Sequence, residues 1–243
     1  KLIGLFGEMR RIPVTLGELP DDLKNAFIAG EDARFYEHPG VDYQGISRAA
    51  FTLLTTGEKT VGGSTITQQL ARNFFLTSEK TYTRKIKEIL LAFKIEDELS
   101  KNEILELYLN KIFLGYRAYG VGAAAEVYYG KSASELSLAQ SAMIAALPKA
   151  PSRINPINQP ERAIERRNYV LGRMQELGYI TQQEYAAAAA EQDMSYYHGA
   201  TAEVSAPYLA EMVRVRALEL LGQEAYTGGY EVVTTIDSRL QKA

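Results

Sequence analysis

The sequence of 243 residues contains no cysteine, only two histidines and no serine that is followed three residues later by lysine. The lack of cysteine excludes disulfides, thiolate metal sites and cysteine nucleophiles. Because His38 and His198 lie far apart in the chain, the sequence gives little support for a histidine zinc site or a Ser-His-Asp triad. The missing S-x-x-K pattern excludes the acyl-enzyme chemistry that starts from such a serine.

The chain also lacks a strong net charge and a long apolar run. There are 27 lysines and arginines against 30 aspartates and glutamates, a net charge of -3, so the composition gives no reason to expect nucleic acid as a partner. The longest uncharged apolar run, from Leu136 to Pro148, is shorter than the ~18 residues that span a bilayer. Because the chain begins at Lys1 without a methionine, we expect it to be a piece of a longer protein, and a membrane anchor can lie in the part outside this sequence.

Helix signals are frequent, and the first of them bears on a candidate site. Pro20 is suited to the first position of a helix, and Leu23, Ala26 and Phe27 then recur at helical spacing. The pattern stops at a glycine, so Glu31 is expected near the end of this helix.

The same kinds of signal predict a mainly α fold along the rest of the chain. Ser100 with Glu103 forms a capping box, and Ser132 with Glu135 forms another ahead of the apolar run that reaches Leu147. The further expected elements are helices from Pro160 to Gly178, after Thr181 and over Pro207 to Leu221, and an alternating strand over Tyr230 to Ile236.

The first cluster that indicates chemistry is E-D-x-x-F-x-x-H-x-G, formed by Glu31, Asp32, Phe35, His38 and Gly40. A carboxylate at a helix end beside an aromatic side chain loses part of its hydration, which raises its pKa and suits it to act as a general base toward a hydroxyl. An exposed helix end with a paired acid is the structural alternative.

The second cluster is G-G-S-T-I-T-Q-Q-L, which runs from Gly62 to Leu70 and is followed by Arg72 and Asn73. Two glycines ahead of hydroxyl and amide side chains at a helix start offer backbone N–H groups and neutral donors to a phosphate or a sugar. An ordinary helix cap explains the same residues equally well.

The third cluster is Arg84, Lys85 and Glu88, which are neighbours on one helix face. The expected buried side of this helix consists of Ile86, Ile89, Leu90 and Phe93. A surface ion pair is the simpler interpretation. However, the stretch from Arg72 to Lys94 holds six basic residues against two acids, and this local excess indicates an anionic ligand or membrane surface.

Together these blocks resemble the glycosyltransferase family 51 domain of class A penicillin-binding proteins and of monofunctional peptidoglycan glycosyltransferases. The resemblance covers about Arg10 to Tyr185, and it continues through K-x-x-I-L-x-x-Y-L-N, from Lys101 to Asn110, and L-P-K-A-P, from Leu147 to Pro151. At Arg72, where many relatives have lysine, the charge is kept.

The resemblance implies a mainly α, lysozyme-like domain of two lobes, with a small membrane-facing lobe and a short C-terminal β segment. We expect the glycosyltransferase domain to occupy residues 1–225. The segment 226–243, which contains Y-E-V-V-T-T-I-D-S-R-L, is expected to lead into a transpeptidase domain outside this chain.

The resemblance also implies a reaction. The domain would polymerise lipid II onto a growing glycan strand, with inversion to a β-1,4 bond and release of undecaprenyl pyrophosphate. Glu31 and Glu88 are the expected catalytic residues, with Glu31 as general base. Glu88 either orients Lys85 or holds a divalent cation (Mg²⁺ or Mn²⁺), and no cofactor is obligatory. The expected substrate-binding residues are Lys85, Arg84, Arg72, Gln69, Ser64, Thr65 and Asn73.

The implied partners are lipid II, the glycan strand, the outer face of the cytoplasmic membrane and the phosphoglycolipid inhibitor moenomycin. The runs Phe51, Leu53, Leu54 and Phe74, Phe75, Leu76 are candidates for membrane contact. Two alternatives stay open. A lytic muramidase-like hydrolase would use the glutamate as an acid on an uncharged polymer. A non-catalytic cell-wall scaffold would not need Glu31.

Overall fold

The structure, a computed structural model, describes residues 11–47, 55, 64–75, 81–199, 206–222, 224–227 and 230–237. These residues divide into two compact units, one over Arg11–Tyr196 and one that contains the described residues from Tyr197 onward. Helices dominate both units, which confirms the prediction of a mainly α fold.

The helices of the first unit are α1 (Asp21–Glu31), α2 (Ile66–Phe75), α3 (Tyr82–Glu98), α4 (Lys101–Lys111), α5 (Val121–Tyr129), α6 (Leu138–Ala146), α7 (Pro160–Glu176) and α8 (Gln182–Ala190). Short 3-10 helices lie at Leu16–Glu18, Ala133–Glu135 and Leu147–Lys149, and residues 43–47 are also helical. The second unit contains α9 (Pro207–Leu221) and α10 (Glu224–Thr227).

Helix α1 forms where the sequence predicts it. Pro20 occupies the cap position, and the acidic side chains of Asp21 and Asp22 lie in the first turn, where the helix dipole favours negative charge. The side chains of Leu23 and Phe27 are fully buried. The helix ends at Glu31, as expected, so this carboxylate lies at the point where the chain leaves the core.

The core of the first unit lies between α1, α6 and α7 on one side and α2, α4 and α5 on the other. Its largest fully buried side chains include Tyr108, Tyr128, Phe27 and Phe35. Phe27 and Tyr108 meet edge to face, with ring centroids 6.0 Å apart. Since α1 carries Glu31 and contacts α4 through Phe27 and Tyr108, and α4 packs against α2, this core fixes the elements that surround the carboxylate.

The predicted helix caps are confirmed with one correction. Ser100 with Glu103 caps α4, and Thr181 with Glu184 caps α8. The capping box of Ser132 begins the 3-10 helix Ala133–Glu135, whereas α6 has its own box formed by Ser137 and Gln140. The prediction that Ser132 caps the long apolar helix is therefore wrong. The local motif was identified correctly, but Leu136 and Ser137 interrupt the helix that was expected to follow.

The predicted burial of α3 is also wrong. Ile86 and Leu90 are 60% and 62% exposed, and Ile89 and Phe93 are only partly buried. The buried positions of this helix are Glu88 and Ala92. The apolar spacing alone does not choose the inner face, because the carboxylate of Glu88 turns inward to meet its cationic partners.

The C-terminal strand is a third correction. Tyr230 to Asp237 is not assigned as a strand, and the pairing of Phe113 with Tyr119 is the one isolated β-bridge in the described part of the chain. Alternation gives a segment two different faces, but a strand also requires a neighbour that accepts its hydrogen bonds. None of the helices within the described ranges has the length and apolar composition needed to cross a bilayer.

Candidate active site

Glu31 lies at the C-terminal end of α1 in a partly buried position. The amide Nε2 of Gln69 on α2 donates a hydrogen bond to its Oε2 at 2.9 Å. Burial raises the pKa of the Glu31 carboxyl above its ordinary value, while the Gln69 bond and the charges of Arg166, Lys149 and Arg72 act in the opposite direction. The site therefore holds a carboxylate that accepts a proton more readily than a free glutamate does.

Three residues near Glu31 were not predicted from the sequence to belong to the site. Tyr108 on α4 donates its hydroxyl proton to Gln69 Oε1 at 3.2 Å. Lys149 and Arg166 bring positive charge toward Glu31 from the 3-10 helix after α6 and from α7. Arg166 also reaches Gly30 O at 3.5 Å. Lys149 stands inside the quoted L-P-K-A-P motif, which could have drawn attention to it, but no pattern in the sequence identifies Arg166.

Asp32 has a different role from Glu31, although the two carboxylates are adjacent in sequence. Its side chain is buried and contacts His38 Nε2 at 2.9 and 3.0 Å. It also accepts a hydrogen bond from the backbone N–H of Ile66 at 3.0 Å, at the first turn of α2. Asp32 is thus an anionic cap for α2 and ties that helix to the segment after Glu31.

The segment after Glu31 is held in place by polar contacts from two further elements. Thr65 donates its hydroxyl proton to Gly40 O at 2.6 Å, and Lys101 Nζ donates to His38 O at 2.6 Å. The Lys101 ammonium also lies 4.6 Å from the ring centroid of Phe35, which is itself fully buried. The E-D-x-x-F-x-x-H-x-G cluster therefore acts as a structural unit that fixes the position of Glu31.

The second polar group of the site surrounds Lys85 on α3. Lys85 Nζ donates to Ser64 Oγ at 2.9 Å, to Gln68 Oε1 at 3.2 Å and to Glu88 Oε1 at 2.5 Å. Arg84 Nη1 donates to the other oxygen, Oε2 of Glu88, at 2.9 Å. Lys85 keeps 39% of its side chain exposed, whereas the side chain of Glu88 is 1% exposed. The buried carboxylate of Glu88 therefore binds both cations, and the Lys85 side chain stays accessible to an anion.

Both oxygens of Glu88 are thus engaged by Lys85 and Arg84, which favours the partner role over the role of metal ligand. Among the residues that the structure describes, no group of three or more histidine, aspartate or glutamate side chains is arranged so that it could hold a metal ion. A Mg²⁺ ion at Glu88 would need a carboxylate oxygen that is free to bind it, and the two cations already occupy both oxygens. The residues present do not fit a metal site at Glu88.

Helix α2 joins the two groups, because Gln68 and Gln69 are consecutive on it. Gln68 contacts Lys85, and Gln69 contacts Glu31. Thr65 is the cap of this helix, since its Oγ1 accepts from the N–H of Gln68 at 3.1 Å. Arg72, one turn after Gln68, is close enough for its charge to affect the Glu31 pKa.

The remaining predicted binding residue, Asn73, is exposed near the C-terminal end of α2. The structure therefore brings together Glu31, Gln69 and Arg72 in one group and Ser64, Arg84, Lys85 and Glu88 in the other. Such an arrangement can accept a proton at one point and receive an anion at a second.

Comparison with known proteins supplies the family. The family model for transglycosylases (Transgly) matches residues 1–175. The chain is 59% identical to penicillin-binding protein 1A of Vibrio cholerae serotype O1 over 244 residues, which is 100% of this chain and 30% of that protein. It is 56% identical to penicillin-binding protein 1A of Escherichia coli K12, over 100% of this chain and 29% of that protein.

A solved structure agrees with this result. The crystal structure of penicillin-binding protein 1A from Haemophilus influenzae matches 98% of this chain and 26% of that chain, with a TM-score of 0.61 and 38% identity. The chain spans about a third or less of the length of these relatives. The chain belongs to the transglycosylase family, which confirms the resemblance to a peptidoglycan glycosyltransferase domain of the class A penicillin-binding proteins.

Proposed function

We propose that this domain polymerises lipid II into β-1,4-linked glycan strands with Glu31 as the general base. The single observation that carries the proposal is the Glu31 carboxylate, whose pKa is raised by burial and which is linked to the cation Lys85 through the consecutive residues Gln69 and Gln68 of α2. A base needs a pKa near the working pH, and a departing pyrophosphate needs positive charge.

In the proposed reaction, Glu31 removes the proton from the 4-hydroxyl of the acceptor GlcNAc as that oxygen attacks the anomeric carbon of the donor MurNAc. The bond from that carbon to the pyrophosphate oxygen breaks with inversion, and undecaprenyl pyrophosphate leaves with the bonding electrons. Lys85 is the accessible cation for this leaving group, and Arg84 supports it through Glu88. Arg166, Lys149 and Arg72 supply further positive charge near the base.

The hydrolase alternative is less well supported. A hydrolase would use Glu31 as an acid, and a glycosidase of the usual kind adds a second carboxyl group on the other side of the scissile bond. Two other acids of the described site, Asp32 and Glu88, are otherwise engaged: Asp32 binds His38 and the start of α2, and Glu88 binds Arg84 and Lys85. A polymer without charge would also give the cation set no role.

The test is a polymerisation assay with purified domain and lipid II. We expect consumption of lipid II, release of undecaprenyl pyrophosphate and inhibition by moenomycin, a phosphoglycolipid that resembles the glycan substrate. Solubilisation of finished peptidoglycan with no use of lipid II would instead support the hydrolase. Inertness toward both substrates would support the scaffold.

We further propose that the domain works at the outer face of the cytoplasmic membrane. Of the residues predicted to touch it, Phe51, Leu53, Leu54 and Leu76 and the side chain of Phe75 lie outside the described part of the chain. Phe74 is described and is 45% exposed. The exposed apolar side chains of α3, which are Tyr82, Ile86 and Leu90, add a surface beside the exposed lysines Lys87 and Lys94. Apolar side chains beside cations suit an anionic membrane surface.

This proposal predicts the behaviour of the double variant Ile86→Ser, Leu90→Ser. Because both side chains are exposed, the fold should be unaffected, while binding to vesicles that contain anionic lipid should weaken about 10-fold, given about 25 cal/mol for each Å² of apolar surface. Polymerisation of full-length lipid II should fall with it. Turnover of a water-soluble short-chain analogue should change little.

The matched control is Leu177→Ser, which changes an exposed apolar residue at the end of a different helix, α7. It should leave vesicle binding intact. Equal losses on the lipid and the soluble substrate in the double variant would show that Ile86 and Leu90 support folding rather than membrane contact.

A further inference from the structure

A row of three side chains leads from the core to the Glu31 carboxylate. Tyr108 is fully buried on α4, and its hydroxyl lies 3.2 Å from Oε1 of Gln69. The other end of the same amide, Nε2, lies 2.9 Å from Oε2 of Glu31. The two bonds therefore use opposite ends of one planar group.

The direction of these hydrogen bonds is set by the chemistry of the groups. The amide oxygen of Gln69 can only accept and its nitrogen can only donate. Burial raises the pKa of the Tyr108 hydroxyl well above its ordinary value, so this hydroxyl keeps its proton and needs an acceptor. If the amide turned over, its oxygen would face the Glu31 carboxylate with no proton between the two acceptors.

We propose that Tyr108 is a positioning residue for the general base: its hydroxyl holds the Gln69 amide in the orientation that donates to ionised Glu31. The inference rests on the proposed function, in which Glu31 is that base. Gln69 is thereby an electrostatic support of the carboxylate as well as a candidate substrate contact.

Such support matters because the surroundings of Glu31 otherwise work against its charged form. Burial is the largest influence on its pKa, and the Gln69 bond is the largest influence in the opposite direction. Without Tyr108 the amide is free to turn once Glu31 is protonated, since its oxygen then accepts from the carboxylic acid. The protonated, inactive form of Glu31 would gain stability relative to the carboxylate.

The test is Tyr108→Phe, which removes the hydroxyl and keeps the ring that packs against Phe27. With lipid II as substrate, the acid limb of the kcat/KM profile should move to higher pH by about half a unit to one unit, the scale of one hydrogen bond between neutral groups such as the Tyr108 hydroxyl and the Gln69 amide. At pH values on the acid limb, kcat/KM of the variant should be about 3- to 10-fold lower than that of the unmodified domain, with most of the loss in kcat. Above it the variant should approach the rate of the unmodified domain.

Tyr128→Phe is the matched control. Tyr128 is also fully buried, and its hydroxyl donates to Leu114 O at 2.8 Å and accepts from Asn155 Nδ2 at 2.9 Å. Its loss should lower thermal stability at least as much as the loss of the Tyr108 hydroxyl. The acid limb should stay where it is in the unmodified domain.

Gln69→Met tests the same connection from the other side, and it does so even if Tyr108→Phe does not fold. Met keeps the length of the side chain and removes both amide groups, so the acid limb should shift at least as far as in Tyr108→Phe. In the Gln69→Met background, Tyr108→Phe should cause no further shift, because its effect passes through the amide.

An unshifted acid limb in either single variant, or a further shift in the double variant, would overturn the proposed role of Tyr108. The same experiment includes Glu31→Gln. If that variant retains near-normal turnover, the proposed function itself fails. If it is inactive while Tyr108→Phe keeps the original pH profile, only the positioning role fails.

Discussion

Glu31→Gln is expected to lower the rate of lipid II polymerisation by at least ~100-fold, the usual scale for the loss of a positioned acid or base. The amide has the shape of the carboxyl group and no basicity. The fold and the nearby cations Arg72, Lys149 and Arg166 therefore remain, while the proton acceptor is lost. The rate is measured as release of undecaprenyl pyrophosphate. The same samples are compared by circular dichroism.

Glu37→Gln serves as the matched control for this change. Glu37 is an exposed acid six residues further along, and its ion pair with Arg34 is long, with 4.0 Å between Arg34 Nη1 and Glu37 Oε2. The substitution is chemically identical, and turnover should stay close to that of the unmodified domain. Near-normal turnover in a folded Glu31→Gln domain would remove the carboxylate from the mechanism.

Thermal unfolding gives this variant a second readout. Because the pKa of Glu31 is raised in the folded state, ionisation of this group destabilises the fold. That penalty is absent below the ordinary pKa and is complete above the raised pKa. Glu31→Gln should therefore have a higher Tm than the unmodified domain at neutral pH, by about 2–4 °C for each kcal/mol of penalty removed. In acid the two Tm values should be equal. A lower Tm at neutral pH would show that the surrounding cations outweigh burial.

The parts of the site that the sequence predicts well are those set by local chemistry. The end of α1 at Glu31 follows from a break in apolar spacing, and the caps of α4 and α8 follow from side chains three residues apart. The contact of Arg84 and Lys85 with Glu88 likewise follows from helical geometry alone. Each of these features depends on residues within one turn of a helix.

The parts that it predicts poorly depend on contacts between distant segments. Tyr108 reaches Gln69 across 39 positions, and Arg166 reaches Gly30 across 136. Nothing in the residues themselves shows that α4 and α7 would meet α1 and α2 at this point. Likewise, the apolar spacing of α3 predicts that Ile86 and Leu90 are buried, but Glu88 is buried instead. A buried carboxylate is stable only where cations contact it, and the apolar spacing does not show where that happens.

The second large effect is expected at Glu88. In Glu88→Gln, two cations that shared one buried carboxylate face a neutral amide, and one of them meets its NH₂ group instead of an oxygen. Lys85 should lose its fixed position between Ser64 and Gln68, so polymerisation should fall about 100-fold, which is the scale for removing one electrostatic contact to developing charge.

The stability effect of this change is limited by solvent. Breaking a fully buried ion pair costs about 3–5 kcal/mol, but Lys85 is 39% exposed and its charge is partly screened. We therefore expect a loss of about 1–3 kcal/mol, seen as a Tm lower by several degrees. Inorganic pyrophosphate, used as a competitive inhibitor, should bind about 10-fold more weakly, because a single charge-assisted contact is disturbed.

The matched control is Glu96→Gln, on the same helix. Glu96 is also mostly buried and accepts from Lys101 Nζ at 2.8 Å and from the hydroxyl of Thr67 at 2.5 Å. It should lose comparable stability and keep its affinity for pyrophosphate, since it holds neither Arg84 nor Lys85. Recovery of Glu88→Gln activity at high Mg²⁺ or Mn²⁺, or equal loss of pyrophosphate affinity in both variants, would contradict the view that Glu88 acts by holding these two cations.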